Sequence, residues 1–146
     1  MKLFVVSMVD IDGILILTSD YKHVMENVLN LHVQTFIDYK GHHARYNSSQ
    51  SSSYKVNGTD FKICYGAGCV SGFVSNDKLC IGKACIHDQL FAEATHIESS
   101  FFNGPYDGIL GLGFEETSVN RIPTVFDNLV RQGAIDKPTF SFWINR

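Results

Sequence analysis

The chain has no apolar run approaching about 18 residues, so no membrane-spanning helix is expected. It has no basic cluster either: 12 Lys and Arg stand against 15 Asp and Glu, scattered singly or in pairs. A nucleic-acid partner is therefore not expected, because neutralising phosphates needs a basic face. No Gly-x-Ser-x-Gly segment and no phosphate-cradling glycine loop occurs, which removes two common catalytic signatures. Charged residues make up only 18% of the chain and hydrophobic ones 45%. That balance describes a globular chain rather than a disordered one. At 146 residues, one domain with a real core is expected.

Residues 1–40 lack proline and cysteine and hold one glycine, Gly13. Met1-Lys2-Leu3-Phe4-Val5-Val6 has the flavour of a signal peptide. Asp10 and Asp12 interrupt it before Ile14-Leu15-Ile16-Leu17, whereas a secretory apolar region runs about 7–15 residues without charge. A buried strand or short helix is the competing expectation. From Tyr21 to Phe36, apolar residues at Val24, Val28, Leu31 and Phe36, with Met25, Leu29 and Val33 alongside, follow the helical period.

From Tyr54 onward the pattern turns β-like. Residues 47–53, Asn-Ser-Ser-Gln-Ser-Ser-Ser, form a polar loop with no evident packing surface. Tyr54-Lys55-Val56 meets a turn signal at Asn57-Gly58. Phe61 to Tyr65 alternates into Gly66-Ala67-Gly68, and Val70 to Val74 returns. Leu79-Cys80-Ile81, Gly82-Lys83 and Ala84-Cys85-Ile86 read as a second hairpin, and Gln89 to Ala94 as a further strand. Over 123–132 the period changes. Pro123 suits a first helical position, Val125, Phe126, Leu129 and Val130 suit one face, and Gly133 suits the stop. Phe140 to Ile144 reads as a last strand. The sum is a mainly β fold of packed sheets, partly barrel-like, with one or two short helices.

Four cysteines, at 64, 69, 80 and 85, fall within a short stretch. An even, clustered count suits disulfides in an oxidising compartment. A short hairpin would bring Cys80 and Cys85 within bridging range, and Cys64 and Cys69 would sit opposite each other across the first hairpin. A four-cysteine zinc site is the other reading of the spacing, although such sites more often have two intervening residues. His42-His43 reads as a surface pair, and no metal or other cofactor is expected. Asn47-Ser48-Ser49 and Asn57-Gly58-Thr59 are N-glycosylation acceptors. With the cysteines they point to a lysosomal or secreted protein.

Seven stretches in register resemble the N-terminal lobe of pepsin-like, cathepsin D-like aspartic peptidases, especially the nematode type. They are His42 to Ser49, Val56 to Thr59, Cys64 to Gly72, Phe91 to Thr95, Tyr106 to Gly111, Pro123 to Leu129, and Phe140 to Arg146. The resemblance implies a partial N-terminal lobe of a bilobal acid-protease fold over 41–146, with residues 1–40 an unmatched segment. It implies a protein or peptide substrate. It makes Tyr65-Gly66-Ala67-Gly68 the flap, a hairpin that closes over bound peptide, with Tyr65 packing against the substrate. Tyr106 and Ile109, joined by Phe101, map onto the pocket beside the flap. Asp107 maps onto a structural position.

The resemblance stops at the chemistry. The family cleaves peptides with two aspartates, each in Asp-Thr-Gly, and this sequence contains no Asp-Thr-Gly. Asp10, Asp12, Asp20 and Asp38 are followed by Ile, Gly, Tyr and Tyr, so none can enter the tight loop that motif makes. The second motif belongs to a C-terminal lobe, which the matching region does not reach. No catalytic residue is assigned, and no peptidase activity is expected of this chain alone. Residues 1–40 as a wrongly joined exon of a full peptidase is the favoured explanation; a catalytically dead remnant is the other. A non-catalytic peptide-binding protein and a small disulfide-held secreted module are the alternative functions.

Overall fold

A computed structural model of the chain describes residues 3–6, 46–65, 68–98 and 108–141. The expected helix over 21–36 and the end of the expected last strand lie outside these residues. Five strands and one α-helix are described: β1 (Leu3–Val6), β2 (Lys55–Tyr65), β3 (Gly68–Ile81), β4 (Ala84–Ile97), β5 (Gly108–Gly111) and α1 (Val125–Arg131). β2, β3 and β4 form an antiparallel sheet in that order, and β1 pairs with β5 in parallel. The mainly β expectation is met. The Leu3–Val6 segment takes the strand option, paired along Gly108–Gly111.

β3 is the middle strand because both its neighbours are joined to it by tight hairpins. Tyr65 pairs with Gly68 at one end, and Ile81 pairs with Ala84 at the other. Both hairpins are closed by disulfides, Cys64–Cys69 and Cys80–Cys85. Each bridge joins residues directly opposite in the ladder, the placement that brings paired side chains closest. All four cysteines are thereby used. The second hairpin falls where the sequence puts it, with Gly82 at φ 59 supplying the left-handed turn residue that a Cβ disfavours.

The Asn57-Gly58 signal does not reverse the chain. β2 runs straight through it, and the register slips between Val56 and Asp60 while both flanks stay paired to β3. Gly58, at φ 79, makes a bulge of what the dipeptide alone suggests is a hairpin tip. The physical reason is that the partner strand lies on the C-terminal side and continues past this point.

Two more irregularities bend β4. His87 and Asp88 together face Lys78, with Asp88 at φ 55, and Thr95 is the extra residue near Gly72. At the latter the strands approach so closely that a Cβ on Gly72 would lie 1.9 Å from the Glu93 carbonyl oxygen. A side chain there has to push backbone apart.

The core splits in two around β5. Ile109 joins Val70, Ala94 and Ile97, with Phe61, Ile63 and Tyr65 packed against them. Leu110 joins Leu79, Ile86, Leu112, Val125 and Leu129. Successive residues of a strand face opposite ways, so one short strand serves both clusters. α1 covers the second cluster through Val125 and Leu129, with Phe126 stacked edge-on against Phe140 at 5.0 Å. Val130 is exposed rather than part of that face. Pro123 precedes the helix instead of opening it; Thr124 is the cap, in a reciprocal capping box with Asp127. Gly133, at φ 65, follows the last turn as expected. Phe140 and Ser141 join no ladder.

The serine-rich loop packs after all. Its first turn, Ser48–Gln50, is a 3-10 turn capped by the Asn47 side chain. Behind it lies Asp77 of β3, only 2% exposed. Tyr46 Oη donates to Asp77 Oδ2 at 2.5 Å, Ser53 Oγ donates to Oδ1 at 2.5 Å, and the Lys78 amide donates to Oδ1 at 2.7 Å. Burial alone would push this carboxyl up, but the hydrogen bonds from Ser51, Ser53, Tyr46 and the Lys78 amide outweigh it and hold it below its ordinary value. Burial, then the bond to Asp77, pushes the Tyr46 phenol up. The ring of Tyr46 also meets Phe91 edge-on at 5.0 Å.

Two outcomes are expected. Gly72→Ala destabilises the fold by about 2–3 kcal/mol, because its Cβ meets backbone rather than a movable side chain; urea unfolding measures it. Asp77→Ala costs about 3 kcal/mol by leaving several buried donors without an acceptor. Because the folded carboxyl titrates below the unfolded one, its contribution is full above about pH 4 and is lost as pH falls through the folded value. The gap between wild type and Asp77→Ala is therefore wide at pH 5 and narrows in strong acid.

Candidate functional site

β2 presents Phe61, Ile63 and Tyr65 on one side, since residues two apart share a face of a strand. Lys62 and Cys64 between them are exposed. The three side chains form one wall of a cavity of about 390 Å³. Ile109 of β5 supplies a second wall, and Phe114 and Ile122 of the following loop supply a third. Phe114 is 64% exposed, so it stands at the rim. The loop is shaped by short 3-10 turns over Glu115–Thr117 and Val119–Arg121, with the Thr117 hydroxyl donating to the Phe114 carbonyl at 2.8 Å.

Polar groups in the wall are already committed. Gln89 is 2% exposed. Its Nε2 donates to the Leu90 and Pro123 carbonyls at 2.8 and 3.1 Å, and its Oε1 accepts from Asn128 Nδ2 at 2.8 Å. The Thr124 hydroxyl donates to Asp127 Oδ2 at 2.7 Å and accepts from the Asp127 amide at 3.1 Å. One turn on, the Gln132 amide donates to the His87 carbonyl and accepts from the His87 amide, both at 2.9 Å. It thus satisfies the backbone that the β4 bulge takes out of the ladder. These bonds lock α1 and the loop before it against β4, and so fix the cavity's outline.

Among the described residues that line the cavity there is no carboxylate, imidazole, amine or guanidinium. Such a wall can accept apolar side chains and exclude water.

Of the residues expected at the site, Tyr65 and Ile109 meet on this cavity. Gly68, at φ 134, opens β3 opposite Tyr65. Gly66, Ala67, Phe101 and Tyr106 lie outside the described residues, as does Asp107. Asn47 and Asn57 are both exposed; the Asn47 side chain accepts from the Ser49 amide and that of Asn57 from the Thr59 amide, each at 3.1 Å. Phe61 and Ile63 were not singled out from sequence, although their alternation with Tyr65 is a readable signal. Phe114, Ile122 and Gln89 carry no local signal; the chain brings them in from elsewhere.

Sequence comparisons say which family this sheet and cavity belong to. The family model for eukaryotic aspartyl protease matches residues 22–146, and the chain belongs to that family. It is 51% identical over 105 residues to cathepsin D of Dictyostelium discoideum, covering 71% of this chain and 27% of that protein. It is 52% identical over 103 residues to vacuolar protease A of Neurospora crassa, covering 70% and 26%. An aspartic proteinase of Oryza sativa subsp. japonica is 46% identical over 105 residues, covering 71% and 21%. The chain spans about a quarter of the length of the relatives it matches. Its two disulfides place it in the secretory pathway, where such bonds form and persist.

Thr124→Ala removes the helix cap beside the cavity and is expected to cost about 1 kcal/mol. Thermal unfolding measures the loss, and an unchanged midpoint would show that the cap does not hold this wall.

Proposed function

We infer that this chain is an incomplete part of the N-terminal lobe of an acid endopeptidase, bearing the flap and one wall of the substrate cleft. The single observation behind this is the cavity shared by Tyr65, at the end of β2, and Ile109 of β5. Such an apolar hollow suits a peptide side chain, and the glycines that follow Tyr65 in the sequence suit a backbone that comes close to a ligand. The substrate class is protein or peptide, with no nucleic acid involved. The division between lobe portion and N-terminal segment is proposed near residue 41, while the family model reaches back to residue 22. Two relatives are named for cathepsin D and a vacuolar protease, which supports a lysosomal or vacuolar setting for this chain.

Hydrolysis in this chemistry needs two carboxylates sharing one proton, one acting as base on a water while the other stays acidic. The sequence has no Asp-Thr-Gly to supply the first, and no carboxylate is found among the described residues that line the cavity. In this reading the second would come from a C-terminal lobe in the parent protein. Dimerisation supplies neither, because two copies share the same lack. The chain by itself is therefore inactive. The apolar wall formed by the described residues favours one second reading, a protein that binds peptides without cleaving them.

The expected outcome is no cleavage of denatured casein at about pH 4, where a paired dyad is half-protonated, with saturable binding of apolar peptides. Pepstatin-sensitive cleavage by the purified chain would overturn the inactivity. Sequencing the messenger from both ends decides between the two origins: an upstream Asp-Thr-Gly with a downstream second lobe marks a full peptidase.

A further inference from the structure

The two hairpin disulfides look alike in sequence, each with a separation of 5, but they differ in what else holds each hairpin. Cys80–Cys85 has Ile81 and Ala84 on its turn side and the fully buried Leu79 and Ile86 on its inward side, all packed on the larger core cluster with α1. Both of its cysteines are half-buried. Cys64 lies on the outward face of β2 and is exposed. The neighbours of Cys64, Ile63 and Tyr65, face the other way, into the cavity. Beyond each bridge one pair ends the ladder, Tyr65–Gly68 in the first hairpin and Ile81–Ala84 in the second, so the two differ in exposure and burial rather than in pairing. Without its sulfur–sulfur bond, the first hairpin end keeps its ladder and the half-buried Ile63 and Tyr65, which rest on the smaller core cluster beside a hollow. The other end keeps the fully buried Leu79 and Ile86 of the larger cluster beneath it.

We propose that the Cys64–Cys69 bridge is a redox-addressable clamp that positions Tyr65 over the cavity. A small dithiol opens it before Cys80–Cys85, and the opened hairpin holds apolar peptide less tightly. The inference rests on the peptide-cleft reading above. One thiolate of the dithiol attacks a bridge sulfur and releases the other cysteine as thiolate. The second thiol of the reagent then displaces the mixed disulfide. The protein gains two electrons and two protons as two thiols, and the reagent closes to a cyclic disulfide. Reoxidation by a low-molecular-weight disulfide reverses the exchange. Exposure favours attack at Cys64. Once the clamp is open, local fraying of the strand ends lowers the share of molecules with Tyr65 in place, and apparent affinity falls with that share. Tyr65 is the contacting residue; Cys64 and Cys69 are positioning residues.

The test titrates the full chain with dithiothreitol and blocks new thiols with iodoacetamide for mass mapping. At each stage, amide exchange and binding of a dansyl-labelled apolar hexapeptide are followed. Cys64 and Cys69 are expected to alkylate first. At that point exchange at Ile63, Tyr65 and Val70 quickens about tenfold or more, while Leu79 and Ile86 are unchanged, and peptide binding weakens about tenfold. The paired variant Cys64→Ser with Cys69→Ser should reproduce the opened state with Cys80–Cys85 intact. Opening of Cys80–Cys85 first, or opening of Cys64–Cys69 with unchanged exchange, overturns the clamp. An oxidised chain that binds no peptide sinks the cleft reading instead, and alkylation order and exchange still decide the clamp.

Discussion

Everything described here depends on β3 being held from both sides. It is the middle strand of its sheet, and each of its ends is tied covalently to a neighbour. Its buried residues feed both cores, Val70 to the cluster around Ile109 and Leu79 to the cluster around Leu110. The register against β2 decides which way Tyr65 points. A slip of one residue would turn Phe61, Ile63 and Tyr65 outward and put Lys62 and Cys64 over the cavity. The glycine at 72 sets the closest approach on the β4 side, and the bulge at His87–Asp88 gives α1 an edge to grip through Gln132.

The same strand carries the one deeply buried carboxylate described, Asp77. A lone ionised carboxylate in an apolar interior would be costly. Here hydroxyls from Tyr46 and Ser53 and the next backbone amide surround it. They tie an otherwise featureless serine loop to the sheet. The favoured charge state is the ionised one, because these hydrogen bonds outweigh the cost of burial. Asp77 is thus a structural aspartate in a family known for catalytic ones. Its environment shows the difference: it points at the protein's own loop and not at the cavity.

Much of the fold was legible along the chain. The second hairpin, both disulfide pairs and the helix over 125–131 follow from local spacing. The misreadings came where local signals competed with distant partners. Asn57-Gly58 has turn chemistry, but β3 pairs on both sides of it and forces a bulge. Val130 fits the helical stripe, yet the core ends at Leu129. The polar loop looked unpacked because its binding partner, Asp77, lies 24 residues beyond Ser53. In the site, Tyr65 was visible from its motif, whereas Phe114, Ile122 and Gln89 belong to it only through the folding of β5 and its loop against β2 and β4.

The sequence by itself determined the family, through short motifs in fixed order, and the absence of Asp-Thr-Gly, since a missing residue type needs no structure to be seen. It also determined which segments alternate and which follow the helical period, because those are properties of neighbours in the chain. Only the tertiary structure decided which faces meet. It put Ile109 and Leu110 in different cores and gave the two look-alike disulfides different support. It also gathered Tyr65, Ile109 and Phe114 around one hollow. Contacts between residues far apart in sequence depend on register, bulges and packing, which no local pattern specifies.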